Sequence, residues 1–284
     1  MNILFIGLGI VGQRHIRNIK LKYKKINFYT LKNKHSRQLY SNNNAIKGNV
    51  KKKYGLNTIK FNEINKKVKI DAAFICLPNH LHTKYLKVLV EKKIHVFLEK
   101  PGGINLSDYK DLIKIQKKIK KYNLKVVVGY HLRFHPIILK LKKFINNKII
   151  GNILNVLVEN GEHIADYRLY QKYWKRYHAK KKQGGGVLFN QIHEIDYLLD
   201  LFENYNFKAV NSFGRKMSDL KIDTEDTVSS NFIVRKLKNV FLLTLLMNSY
   251  ERPKKRTIKI IGTKGKVFFD FLKNEFHIYK FDIF

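Results

Sequence analysis

Three places in this 284-residue sequence combine reactive side chains with the spacing their chemistry needs. The first is Gly7-Leu8-Gly9-Ile10-Val11-Gly12, which follows the apolar run Ile3–Ile6 with nothing between them. G-x-G-x-x-G suits a turn from a buried strand into a helix. Gly7 permits the tight bend, Gly9 lets the backbone approach a pyrophosphate, and Gly12 lets helix and strand pack closely. Ile10 and Val11 lie in the turn that leads into the helix, whose free N–H groups and positive end would hold the phosphates. The second place is Glu99-Lys100-Pro101-Gly102-Gly103, where a proline-stiffened turn delivers a lysine that can reach a substrate hydroxyl. The third is the run from Gly184 to Asp196, which contains Asn190 and His193. Histidine titrates near neutral pH, so His193 is a candidate general acid/base.

These residues need elements to position them. From Met1 to Gly129 short apolar runs alternate with polar helical stretches, which predicts a parallel sheet with helices on its faces. Strands are expected at Ile3–Ile6, Ile26–Thr30, Ala72–Leu77, His95–Leu98 and Lys125–Val128. Helices are expected over Gly12–Leu21, His82–Lys92 and Ser107–Tyr122. A dinucleotide across the carboxyl edge of that sheet would pass Leu77, Pro78, Asn79 and His82, then Glu99 and Lys100. The Asp or Glu that holds the ribose hydroxyls of NAD, about twenty residues after the glycines, is missing. The segment instead carries Lys32, Ser36 and Arg37, which could hold a 2′-phosphate, so the cofactor is NADP or NAD with a lean to NADP.

After Gly129 the pattern changes. A helix is expected over 134–147, a strand over 152–159 and a helix over 186–202. Strands follow at Phe207–Phe213, Val228–Arg235, Val240–Asn248, Thr257–Ile261 and Lys266–Phe271, with Gly262-Thr263-Lys264-Gly265 as a tight hairpin. Strands in succession imply antiparallel pairing. The expected fold class is therefore α/β: a parallel-sheet dinucleotide domain over 1–129, then an α/β domain over 130–284 with a large open, mostly antiparallel sheet. The second domain would bind substrate and support oligomerisation, because an open sheet face must be solvated or covered, here by another subunit in a dimer or tetramer.

On the 186–202 helix, Leu188, Ile192, Ile195, Leu199 and Phe202 share one face and should be core, whereas Asn190, His193 and Tyr197 share the other. The three preceding glycines permit close backbone approach to a ligand. Tyr167 to His178 interleaves aromatic and basic side chains, and Arg168 and Tyr177 are candidates for gripping a phosphorylated substrate. His131, just past the fifth strand, could touch substrate, while Arg133 would brace its surroundings.

The chain is 44% hydrophobic and 13% aromatic, a globular composition. A single cysteine, Cys76, excludes intrachain disulfides and a cysteine-based metal site, and no metal is expected. No signal peptide or membrane-spanning run is visible, so the expectation is a cytoplasmic protein without a membrane partner. The net charge of +36 would attract phosphate non-specifically. Yet the lysines are spread along the chain and accompany many Asn and Ile residues, as A/T-rich coding produces. Nucleic acid is not an expected partner, and an anionic small substrate is compatible.

GLGIVGQRH, CLPNHLH, LEKPGG, GYHLRFHP and GGGVLFNQIHEID occur in the order and spacing of the Gfo/Idh/MocA oxidoreductases, and the GTKGKV hairpin also resembles that family's. The resemblance covers nearly the whole chain and is strongest to members acting on nucleotide-linked or related sugars. It implies a Rossmann domain, NAD(P)-dependent oxidation or reduction at a sugar carbon, Lys100 on the reacting hydroxyl and His193 moving the proton. The alternative is a non-catalytic, dinucleotide-binding regulatory protein of the same fold. Two departures stand out: Asn190 occupies the position of the family's aspartate, one turn before the histidine, and the chain is shorter than most relatives.

Overall fold

The computed structural model describes residues 1–32, 38–41, 44–168 and 170–281. The chain divides into two compact units. The first comprises Met1–Gly129 with Arg168, Tyr170 and Lys182–Gly184, and the second comprises Tyr130–Tyr167, Gln171–Lys181 and the chain from Gly185 onward.

In the first unit the chain forms β1 (Asn2–Ile6), α1 (Ile10–Lys22), β2 (Asn27–Leu31), β3 (Gln38–Ser41), β4 (Asn44–Asn49), α2 (Val50–Tyr54) and β5 (Asn57–Ile59). It continues with β6 (Ala72–Ile75), α3 (His82–Glu91), β7 (His95–Leu98), α4 (Leu106–Lys121) and β8 (Val126–Val128). Six strands pair in parallel in the order β5-β2-β1-β6-β7-β8. All six therefore end at one edge. The sheet is buried on both faces because β1 is apolar from Ile3 to Ile6: Leu4 and Ile6 join the core against α3 and α4, while Ile3 and Phe5 join the core with Ile16 of α1. Helix α4 starts where Asn105 accepts a hydrogen bond from the Asp108 amide.

The sequence reading placed no element between Thr30 and Ala72, but the structure has the β3–β4 hairpin, α2 and β5 there. The hairpin docks on α1 through Gln13, whose amide donates to Gln38 O at 2.9 Å and accepts from Tyr40 N at 2.9 Å. Arg17 adds a bond to Tyr40 O at 3.0 Å. Its strands are polar and largely exposed, so apolar periodicity does not mark them.

The second unit contains α5 (Pro136–Asn146), β9 (Ile153–Gly161), α6 (Val187–Asn190), α7 (His193–Leu201), β10 (Asn206–Arg215), β11 (Thr227–Lys236) and β12 (Asn239–Asn248). It ends with β13 (Lys255–Gly262), β14 (Gly265–Asp270) and β15 (Glu275–Lys280). The sheet order is β10-β11-β12-β9-β13-β14-β15, antiparallel except where β12 meets β9. One face packs Val156, Val158, Leu243, Leu245, Ile258 and Ile260 into a core shared with Ile138 and Leu141 of α5 and Leu198 and Leu201 of α7. The opposite face exposes Phe213, Val240, Leu242, Leu246 and Tyr279.

Two sequence expectations need correction. The helix expected over 186–202 is two helices, interrupted at Gln191 and Ile192. The interruption resets the helical register, so Tyr197 is fully buried in the core while Leu199 is 47% exposed. Strand β15 was also missed, because its exposed residues show no clean alternation.

Candidate active site

In the first unit the glycine turn divides its work between fold and ligand. Gly7 has φ +105°, and a Cβ there would strike the Cys76 carbonyl; a Cβ at Gly12 would strike the Gly7 carbonyl. These two glycines are demanded by the packing of β1, β6 and α1. Gly9 is exposed, and a Cβ there would meet nothing within 4 Å. It is also the N-cap of α1, and no side chain caps that helix start. The open space at Gly9, beside the first turn of Ile10, Val11 and buried Gly12, fits the pyrophosphate of a dinucleotide.

Lys32 lies at the carboxyl end of β2 with its side chain exposed, held by its amide on Ile59 O at 2.9 Å. Ser36 and Arg37 lie outside the described residues. Arg168 belongs to the first unit, near Tyr40, whose ring stands 5.6 Å from that of Tyr170.

Beyond β6, Leu77 and Pro78 are half-buried along the expected cofactor track. Asn79 is buried, and its amide donates to Gly184 O at 2.7 Å. His82 is fully enclosed, with Nδ1 2.7 Å from Pro101 O and Nε2 2.8 Å from Leu77 O. Burial pulls its pKa down against the opposing pull of both carbonyls and the Glu99 charge. His82 thus has both ring nitrogens engaged by backbone carbonyls, and Asn79 has its amide N–H engaged by one, which ties both side chains into the turns along the expected cofactor track. His82 ties the turn after β6 to the cis Lys100–Pro101 turn after β7, and so fixes the turn that carries half-buried Lys100.

Glu99 faces another residue that the sequence reading left without a role. His15 Nε2 lies 2.7 Å from Glu99 Oε1, and its ring packs against Phe74 and Phe97. The signal was present as the histidine at the end of GLGIVGQRH, but only folding brings residues 84 positions apart together.

In the second unit His193 opens α7, 8% exposed. The exposed ring of His131 meets it edge to face at 4.4 Å between centroids, and Tyr130 lies at 6.2 Å. Arg133 braces this arrangement with Nε 2.9 Å from Asp196 Oδ2 and Nη2 2.6 Å from Asp196 Oδ1. Asn190, at the end of α6, donates to His178 O at 3.4 Å. Tyr177 stacks on His178 at 3.8 Å.

The glycines before α6 are demanded by packing. Cβ atoms would strike Asn79 and Ile104 at Gly184, His178 O at Gly185 and the Glu225 carboxylate at Gly186. Arg176, in the aromatic-basic loop, is likewise internal: it donates to Ile164 O and Gln171 O and is 3% exposed. Glu162 and the Glu194–Arg256 pair, bonded at 2.7 Å, are polar groups the sequence did not single out. Burial raises the Glu162 carboxyl pKa against the pull of Lys254 and Arg256.

Residues 1–130 match the family described as "Oxidoreductase family, NAD-binding Rossmann fold", and residues 138–268 match the GFO/IDH/MocA C-terminal domain. The chain belongs to the Gfo/Idh/MocA family. Among curated members, it is 28% identical over 202 residues to 2,7-anhydro-N-acetylneuraminate hydratase of Escherichia coli, covering 71% of this chain and 52% of that one. It is 24% identical over 277 residues to myo-inositol 2-dehydrogenase of Thermotoga maritima, covering 95% and 75%. The chain spans 52% of the E. coli relative's length and 60% of that of oxidoreductase P35 from Formosa agariphila. Among solved structures, this Gfo/Idh/MocA chain has the fold of the WlbA dehydrogenase from Bordetella pertussis in complex with NADH and UDP-GlcNAcA (TM-score 0.78, 18% identity, 100% and 83% coverage). It also has the fold of an inositol dehydrogenase homologue from Azotobacter vinelandii complexed with NAD+ (TM-score 0.78, 13% identity, 99% and 73% coverage). Among the described residues no helix is long and apolar enough to cross a membrane, and no group of three or more His, Cys, Asp or Glu side chains could hold a metal ion.

Proposed function

We propose that this Gfo/Idh/MocA chain is an NAD(P)-dependent oxidoreductase that interconverts CH–OH and C=O at one carbon of a sugar or nucleotide sugar. The observation that carries this reading lies within the first unit: the open space at Gly9 and the turn bearing Lys100 share the carboxyl edge of one parallel sheet. A bound nicotinamide dinucleotide supplies the redox chemistry, accepting or giving the carbon-bound hydrogen with its electron pair. Gly7, Gly9, Ile10, Val11 and Gly12 would hold its pyrophosphate, and Leu77, Pro78 and Glu99 would line its path. Lys32 and Arg37 would meet a 2′-phosphate, which supports NADP over NAD.

Lys100 has the chemistry to hydrogen-bond the reacting oxygen and stabilise negative charge on it. His193 has the chemistry to accept the hydroxyl proton in oxidation and return it in reduction. His131, Arg168, Tyr177 and Asn190 are the proposed substrate contacts. The names of the T. maritima and B. pertussis relatives support a polyol or nucleotide-sugar substrate. The exposed apolar row on the outer face of the second sheet supports a homo-oligomer in which a second copy covers it.

The experiment is a panel of inositols, sugars and nucleotide sugars incubated with NAD+ or NADP+, followed by absorbance of the reduced cofactor and by mass. Turnover with one group of substrates, abolished in Lys100→Ala and His193→Ala, is the expected result. The name of the E. coli relative makes water addition the outcome to watch by mass when absorbance stays flat. Dinucleotide binding without any turnover would instead mark a regulatory protein, the reading that a neutral Asn190 favours.

A further inference from the structure

A second concavity lies in the second unit, away from His193. The turn between β11 and β12, the chain from α5 into β9 and the segment after α7 surround a cavity of about 640 Å³. Small-molecule pockets run from about 300 to 1,000 Å³. Strand β12 starts at this cavity with Asn239 and ends at Asn248, whose carbonyl accepts a hydrogen bond from Gln191, two residues before His193. The ten residues of β12 thus set roughly 30 Å between the cavity and the candidate site. The walls are anchored. The Asn239 amide donates to Ile153 O at 2.8 Å, and Tyr205 packs on Phe202 and Phe241.

Charge here has one sign. Lys148, Lys236 and Lys238 line the cavity, and none of its described lining residues is acidic. Lysines are common in this chain, but Lys142, Lys254 and Lys255 of the same unit each stand beside a carboxylate. Among the described residues the three cavity lysines have no such partner, and Lys236 Nζ stands 5.3 Å over the Tyr205 ring. Three cations gathered without a carboxylate repel one another, and a bound anion removes that repulsion.

Leu237, between two of these lysines, is 90% exposed at φ +53°, where glycine or asparagine is favoured. Its side chain gives the fold no burial, and its backbone costs stability. An occupant of the cavity gives that side chain an apolar surface to cover. Asn146 and Asn152 present side-chain amides that no described residue engages. Burial raises the pKa of the Tyr205 phenol, which therefore stays neutral beside an anion.

We propose that this cavity is a second binding site, for a nucleoside monophosphate: the lysines hold the phosphate, and Tyr205, Leu237 and Ile153 enclose the base. An inorganic anion would leave the apolar wall wet. A fatty acid would leave both asparagine amides and the Tyr205 hydroxyl without partners. A base offers a flat apolar face and polar edges together, and a phosphate monoester carries close to two negative charges. The site stands apart from the first unit's glycine turn and from His193, so it does not depend on the reaction proposed above.

The test is isothermal titration of the full chain with UMP and AMP, and separately with uridine, adenosine and inorganic phosphate. Wild type is compared with Lys148→Gln/Lys238→Gln, exposed changes that leave the core intact, and with Gly9→Ala, which alters only the first unit's turn. The expected result is saturable binding of at least one nucleotide, about tenfold or more tighter than its nucleoside or phosphate alone. The lysine double variant should weaken it about tenfold or more, and Gly9→Ala should leave it unchanged. Four results overturn the proposal. One is no saturable binding of either nucleotide to folded wild type. Another is binding that survives the lysine changes but is lost in Gly9→Ala, which would assign it to the first unit. A third is inorganic phosphate binding as tightly as the nucleotide, which would mark a plain basic surface. The last is a wild-type dimer in sedimentation that Leu237→Asn dissociates and nucleotide leaves intact, which would assign the surface to a second copy.

Discussion

Arg133 clasps Asp196 with two hydrogen bonds, 2.9 Å from Nε and 2.6 Å from Nη2, and thereby pins the short helix of His131 to α7, which begins at His193. The bond to Asp196 raises the guanidinium's pKa further, so the clasp is permanently charged. A lysine cannot reproduce a planar, two-pronged grip. Arg133→Lys should cost about 1–2 kcal/mol in urea denaturation. Unchanged stability would show that the clasp does not organise this end of the unit.

The glycine turn predicts three different outcomes from one kind of substitution. Gly9→Ala meets open space at an ordinary backbone conformation, so the unfolding free energy should stay within about 1 kcal/mol of wild type. Dinucleotide affinity should fall at least tenfold, because the methyl group occupies the space left for the pyrophosphate. Gly7→Ala, at φ +105° against the Cys76 carbonyl, should destabilise by about 3 kcal/mol or more. Gly12→Ala strikes the Gly7 carbonyl and should destabilise as well. Thermal melts and cofactor titrations on the three variants separate fold from ligand.

The Glu194–Arg256 pair predicts an asymmetric response. Glu194 is fully buried, and Arg256 Nε reaches it at 2.7 Å. Arg256→Met strands a buried carboxylate and should cost about 3–5 kcal/mol, while adding Glu194→Gln should recover part of the loss. A double-mutant cycle in denaturant measures the coupling; additive costs would contradict it.

Asp226 gives a prediction in pH. Burial pushes its pKa up, but bonds from Ser218, the Met217 and Ser218 amides and Thr227 outweigh it, and the folded pKa is lowered. A lowered folded pKa means stability that is fully present above the unfolded value of about 3.9 and is lost as pH falls toward the folded value. Asp226→Asn should therefore be less stable than wild type at neutral pH, with the gap closing in acid. A gap that stays constant down to the acid limit would rule out this linkage.

Local chemistry was legible in the sequence where a few adjacent residues set it. Gly7, Gly9 and Gly12 act through spacing alone, the strands around them are continuous apolar runs, and the Gly262–Gly265 turn joins β13 to β14 as its composition implied. What escaped depends on partners far along the chain. The bond from the Asn79 amide to Gly184 O joins residues 105 positions apart, and no local pattern announces it. Tyr197 looked solvent- or ligand-facing because one continuous helix was assumed, and the interruption at Gln191 turned it into the core. The β3–β4 hairpin escaped because its strands are polar and anchored by Gln13 and Arg17 rather than by apolar burial.

The most direct test of the central claim is a fluorescence titration of the purified chain with NADPH and, separately, NADH. Saturable binding of both, tighter for NADPH and lost in Gly9→Ala at unchanged melting temperature, is the predicted result. Absence of saturable binding by either nucleotide to the folded wild-type chain would contradict the account at the turn on which everything else depends.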